Sequence, residues 1–96
     1  MALAAYSIKL RVLSYELEAL FDSLGLEEKI RRGEITVDYA RSTSFGGSID
    51  RIVNALGCQI ATVHRLYDAA GNVARLYPES IVIGDVLLWR LGHQQP

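Results

Sequence analysis

Cysteine is nearly absent from this chain of 96 residues, and the single Cys58 makes neither an intramolecular disulfide nor a cysteine-based zinc site. Proline is almost as scarce: Pro78 lies inside the chain and Pro96 at its end, and no stretch reads as a linker, a repeat or a low-complexity tract. Charge of one sign is missing too. The formal net charge is -1, so no overall basic field draws nucleic acid or acidic membrane. Long apolar runs are absent, the longest being a handful of residues against the roughly 20 that a bilayer span needs. The first residues, Met1 to Tyr6, lead quickly to Lys9 and Arg11 and lack the basic-then-apolar order of a signal peptide. Lysine is rare: Lys9 and Lys29 are the two lysines among ten basic residues, and the others are arginine. Gene base composition produces such a skew without selection; the alternative is a need for planar, bidentate donors.

What is present describes a folded protein. Half of the residues are hydrophobic and 22% are charged, which excludes a disordered tail. The expectation is one small domain over residues 1–96, cytoplasmic, with no membrane association and no cofactor.

The strongest periodic signal is at the start. Leu3, Tyr6, Leu10, Leu13, Leu17, Leu20 and Leu24 alternate spacings of three and four, placing them on one stripe of a helix that Gly25 would cap. Tyr6, Ile8, Leu10 and Val12 also alternate with polar residues, as a half-buried strand does, in which case the helix begins near Ser14. The single long helix is the favoured reading, and it places Ile8 and Val12 on a second apolar side that another subunit would cover. Leu26 to Arg32 reads as a short helix stopped by Gly33, its Glu27-Glu28 and Arg31-Arg32 matching the helix dipole. Ile35, Val37 and Tyr39 predict a strand through about Arg41. Ser42 to Gly47 reads as a loop, and Ser48 as the cap of a helix carrying Ile49, Ile52, Val53 and Leu56 and ending at Gly57.

The last third is strand-rich. Gln59–Tyr67 and Asn72–Tyr77 flank a predicted three-residue hairpin loop, Ala69 to Gly71, with Gly71 left-handed. Pro78-Glu79 closes the second strand. Ile81 to Leu91 reads either as another tight hairpin at Gly84-Asp85 or as one strand bent there. The fold class expected is α+β: N-terminal helices plus an antiparallel sheet of four to five strands, with the helices packed on one face.

Catalytic constellations are scarce, and no catalytic or metal-ligating residues are assigned. His64 sits in a strand as a satisfied core or edge residue, and His93 lies in the polar tail. Cys58, just past a helix end, reads as a buried structural thiol rather than a nucleophile. The small residues from Ser42 to Ser48, leading into a helix N-terminus, suit a phosphate or carboxylate but lack the lysine and spacing of a phosphate-binding loop. The tripeptides Arg65-Leu66-Tyr67 and Arg75-Leu76-Tyr77 lie on the two strands of the predicted hairpin, in a register that sets Arg65 opposite Arg75 and Tyr67 opposite Val73. With Tyr39 and Arg41 they define a candidate ligand face of Tyr39, Arg41, Arg65, Tyr67, Arg75 and Tyr77, although ordinary packing of Arg stems over Tyr rings explains the same pattern.

Trp89, in an apolar strand, reads first as core. With Leu87, Ile8 and Val12 it forms the candidate oligomer interface. The leading expectation is therefore a non-enzymatic homo-oligomeric interaction module, a dimer in the simplest case. The alternative is binding of a small anionic ligand, or of single-stranded nucleic acid, by the Arg/Tyr face; the net charge weighs against nucleic acid.

Overall fold

Alternating or helical spacing of apolar residues builds eight elements in the order β1 (Ile8–Val12), α1 (Ser14–Ser23), α2 (Leu26–Arg32), β2 (Thr36–Ser42), β3 (Gly47–Val53), β4 (Gln59–Tyr67), β5 (Val73–Ile83) and β6 (Val86–Arg90). The structure is a computed structural model that describes residues 7–43 and 47–90. Two helices and a mostly antiparallel sheet make it α+β, but the sheet has six strands where four to five were expected. Strands β2 to β6 form an antiparallel meander, and β1 joins the far edge parallel to β6, giving the order β1-β6-β5-β4-β3-β2.

The N-terminal stretch departs from the favoured single helix. Ile8, Lys9, Leu10, Arg11 and Val12 pair with Val86 to Arg90, so the alternating pattern prevails over the helical one. The sheet supplies β1 with backbone partners along β6, which outweighs the modest propensity advantage of continuing a helix. The helix then begins at Ser14, where the backbone N–H of Leu13 donates to Glu16 Oε1 (3.0 Å) and so satisfies one end group. Leu17 and Phe21, four apart on one side of α1, are almost fully buried. Burial of side chains of this size contributes about 2 kcal/mol each. Positions Leu3 and Tyr6 of the expected stripe lie outside the described residues.

The predicted helix after Ser48 is a strand instead. Ile49, Ile52 and Val53 are β-branched and stiff, and β3 has partners on both sides, Val53 to Ser48 against β2 and Gly47 to Val53 against β4. Without a helix there, no helix N-terminus exists to hold an anion; the β2–β3 connection is a hairpin in which Thr43 N–H donates to the Gly47 carbonyl (2.9 Å). Residues 44–46 of that loop lie outside the described residues. Cys58 is exposed rather than buried, because it falls in the turn between β3 and β4 and not after a helix.

The loop from Ala69 to Gly71 forms as predicted: Asp68 N–H donates to the Asn72 carbonyl, Gly71 has φ +87°, and Tyr67 stands opposite Val73. Strand β5 does not close at Pro78-Glu79 but runs to Ile83, accommodating them at a register shift opposite Thr62 and Val63. At Gly84-Asp85 the tight-hairpin reading holds. Ile83 pairs with Val86, and the φ of +62° at Gly84, with no positive φ at Asp85, fits a type II′ turn that favours glycine in the first central position.

One buried cluster joins helices and sheet: Leu17, Phe21, Leu26 and Ile35 with Ile52, Ala61, Val63 and Ile81. Helix α1 lies against β5 and β6, and Val12, Leu76 and Leu88 pack at the margin of the same cluster. This fixes two sheet faces, since successive strand residues point to opposite sides. Residues in line with Ile52, Ala61, Val63, Ile81 and Leu88 face the core and their chain neighbours face away from it, except at the β3–β4 register shift, where Val53 is buried and Ile60 also packs against the core.

Candidate functional site

The face turned away from the core is read off the strand registers. Tyr39, Arg51, Thr62, Ser80, Trp89 and Arg11 are successive cross-strand partners from β2 to β1, forming one row across the whole sheet. Beside it run Arg41, Ile49, His64 and Tyr77, and beyond those Leu66 and Arg75. Lys9 and Leu87 pair on the other side of the Trp89–Arg11 partners.

Arginine and aromatic side chains meet repeatedly here. The Arg11 guanidinium lies 4.8 Å from the Trp89 ring centroid, Arg75 lies 4.9 Å from Tyr77, and Arg51 lies 5.9 Å from Tyr39. These distances are within the range of cation–π attraction. Tyr39 is 57% exposed and Trp89 41%. The expectation that Trp89 is core therefore fails: it stands on the uncovered face while its neighbour Leu88 takes the core position.

Basic side chains are gathered on the open face. Lys9, Arg11, Arg41, Arg51 and Arg75 stand on the open face, with Asp38 and Glu79 as the carboxylates beside them. Asp38 is displaced by a register shift in β2 and binds Arg51 through two bonds, Nε to Oδ1 (2.7 Å) and Nη2 to Oδ2 (3.2 Å). Among the described residues, Lys9, Arg11, Arg41 and Arg75 have no carboxylate at ion-pair distance. Five of the eleven acidic residues, Glu16, Glu18, Asp22, Glu27 and Glu28, are on the helices, where Lys29, Arg31 and Arg32 accompany them.

A polar network crosses β4, β5 and β6. The Tyr77 hydroxyl is 2.8 Å from His64 Nδ1, and Glu79 Oε2 lies 3.5 Å from that nitrogen and 3.2 Å from Arg90 Nη1. Arg90 Nε donates to Ser14 Oγ (3.2 Å), tying the network to the start of α1, and its guanidinium lies 5.1 Å from the Tyr77 ring. Arginines therefore crowd Tyr77, whereas Tyr39 and Trp89 keep more of their surface in solvent. His64 Nε2 is buried without a hydrogen-bond partner, so it offers no exposed acceptor for chemistry.

Of the six candidate ligand residues, Tyr39, Arg41, Arg75 and Tyr77 share the open face. Arg65 and Tyr67 do not. Arg65 follows His64 and so points to the core side, where its Nε lies 2.7 Å from Oδ2 of the buried Asp50. That N–H is not aimed at the oxygen, and Asp50 Oδ1 has no hydrogen-bond partner, so the contact is an ion pair rather than a bonded fork. The Tyr67 hydroxyl is 3.5 Å from Ser48 Oγ. The predicted confrontation of Arg65 with Arg75 does not occur. A register shift beyond Tyr67–Val73 moves the partners by one, so Arg65 faces Leu76 and Arg75 faces Leu66. Arg11, Arg51 and Lys9 belong to the open face although sequence reasoning did not assign them to it. The signal available for Arg11 and Lys9 was the alternation in β1.

The candidate interface residues are likewise divided. Ile8 and Val12 are on the core side of β1, Val12 against the core and Ile8 48% exposed, while Leu87 and Trp89 are on the open face. Among the described residues no group of three His, Cys, Asp or Glu side chains is arranged to hold a metal ion, and no helix is long and apolar enough to cross a membrane. Comparison of the chain with protein families, with curated proteins and with solved structures finds no match.

Proposed function

We propose that this chain is a non-enzymatic binding module whose open sheet face takes an anionic ligand. The observation that carries this reading is the set of basic side chains, Lys9, Arg11, Arg41 and Arg75, gathered on one face without carboxylate partners among the described residues. Like charges so placed repel one another unless something negative joins them. Guanidinium groups held beside aromatic rings are preorganised to bind phosphate or carboxylate through paired N–H donors. The net charge of -1 does not oppose this, because five of the eleven acidic residues are on the helices and Asp50 is buried on the core side. The test is calorimetric titration with inorganic polyphosphate, short (tripolyphosphate) and long-chain, at low and high salt. Binding that weakens as salt rises, and weakens again in Arg41→Ala and Arg75→Ala, is the expected result; failure of every polyanion to bind at low salt removes the reading.

A second reading rests on a separate observation. Ile8, Val86 and Ile83 are successive cross-strand partners on the core side of the sheet, with Leu10 next to them, and α1 leaves them uncovered enough that Ile8 and Leu10 are each 48% exposed and Ile83 44%. A second copy of the chain, packing face to face, would cover this row. The two readings use opposite faces of the sheet and are compatible. The mass of the particle in solution tests the second.

A further inference from the structure

From the proposal that the open face takes an anion, and resting on it, we infer the ligand class: an extended single strand of nucleic acid, with phosphates on the arginines and bases stacked on Tyr39 and Trp89. The layout of the site separates a strand from a compact anion. A compact anion is held by donors that converge, and the basic side chains here do not converge; Arg41 is on β2, Arg51 on β3, Arg75 on β5, and Lys9 and Arg11 on β1. From β2 to β1 there are five inter-strand steps, so the row from Tyr39 to Arg11 extends roughly 24 Å at about 4.8 Å per step. That suits a linear polyanion lying across the strands.

The aromatic residues decide between a polyanion in general and one that carries bases. Tyr39 and Trp89 are the exposed rings of that row, on β2 and β6, with Arg51 and Arg11 beside them. Exposed rings flanked by guanidinium groups stack unpaired bases irrespective of sequence, while the basic groups follow the backbone. A duplex hides its base faces, and reading its grooves requires a helix or a two-stranded ribbon inserted into them, which the face of a six-stranded sheet does not present. Between the rings stand Arg51, beside Tyr39, and then the small residues Thr62 and Ser80. Single-strand binding of this kind is salt-dependent and sequence-tolerant.

Trp89 is the one tryptophan of the chain, so its emission reports on the face directly. The experiment titrates the full chain with three probes: an end-labelled oligothymidylate, a duplex of the same length, and inorganic tripolyphosphate. Both anisotropy and Trp89 emission are followed. The oligothymidylate is expected to quench Trp89 and to bind more tightly than either other probe. Trp89→Ala and Tyr39→Ala should each weaken it about tenfold or more, and Trp89→Phe should largely restore it. Arg11→Ala and Arg75→Ala should each lower the magnitude of the log–log salt slope by about 0.7. Both aromatic positions are exposed, so the variants are expected to fold, and circular dichroism is the check on each. Duplex or tripolyphosphate binding as tightly as the oligothymidylate, or an oligothymidylate affinity unchanged in both aromatic variants, overturns the single-strand assignment and leaves the anion reading standing. Failure of all three probes to bind at low salt overturns both.

Discussion

Arg65 and Arg75 occupy the same tripeptide context yet have different partners. Arg65 meets buried Asp50 on the core side, whereas Arg75 lies over Tyr77 on the open side. One residue of register separates these outcomes, because a shift of one turns a side chain to the other face. Tyr77 shows how much a single polar group matters at such a position. Its hydroxyl is the closest partner of His64 Nδ1, and Nε2 of the same ring already lacks a partner. Tyr77→Phe removes that hydroxyl and leaves Glu79 as the remaining group near the imidazole, at 3.5 Å. The expected loss is about 1 kcal/mol of stability, read from the urea midpoint at constant slope. An unchanged midpoint would show that the hydrogen bond adds nothing to the folded state.

At the scale of elements, turns decide where strands meet. Asn54 and Asp68 perform the same task four residues before Cys58 and Asn72. Asn54 Oδ1 accepts from the N–H groups of Leu56 (2.9 Å) and Cys58 (3.0 Å), and Asp68 Oδ1 from those of Ala70 (3.0 Å) and Asn72 (2.9 Å). The second turn was legible in the sequence and the first was not, although Asn54-Ala55-Leu56-Gly57 repeats the pattern Asp68-Ala69-Ala70-Gly71. Helical spacing of Ile49, Ile52, Val53 and Leu56 concealed it, since an apolar run this short satisfies a helical and an extended template alike. Leu56, expected on the buried side of that helix, is 86% exposed at the tip of the turn.

Gly47 pins the hairpin from the other end. A Cβ there would sit far inside van der Waals contact of the Arg65 backbone carbonyl. Gly47→Ala must therefore move β3 away from β4 and should destabilise the fold by about 2 kcal/mol. Faster amide exchange should appear along β3 and β4 before it appears in α1. Wild-type stability and exchange would show that the strands accommodate the methyl without separating.

For the whole molecule, the arrangement of faces sets what the protein can meet. Helix α1 and the core lie on one side; Arg11, Arg41, Arg51 and Arg75 lie on the other with the exposed rings of Tyr39 and Trp89. The open edge at β1 matters as well. An antiparallel pairing of β1 with its own copy that keeps like faces together brings Lys9 or Arg11 opposite a positive partner, which is unfavourable and discourages edge-to-edge growth. Self-association is therefore expected through the row of Ile8, Val86 and Ile83 rather than through the strand edge. Light scattering should give twice the chain mass of 10.6 kDa for the wild type, and the chain mass itself for the double variant Ile8→Glu, Leu10→Glu. A wild type that stays at 10.6 kDa at high concentration removes this association.

Local pattern was sufficient for several elements. The short helix of Leu26 to Arg32, the strand around Val37 and Tyr39, and the hairpin turn at Asp68 to Asn72 all follow from residues within a few positions of one another, where periodicity and turn chemistry act. The α+β class follows from the same signals. Tertiary structure alone decided the rest. Residues 8 to 12 carry two periodicities, and β6, more than 70 residues away, selects the extended one by pairing with it. Which arginines share a face depended on register shifts in β2 and β5, each a single extra residue that reorients the side chains beyond it. Such selections are made by contacts between distant segments, and a period read along one segment carries no record of them.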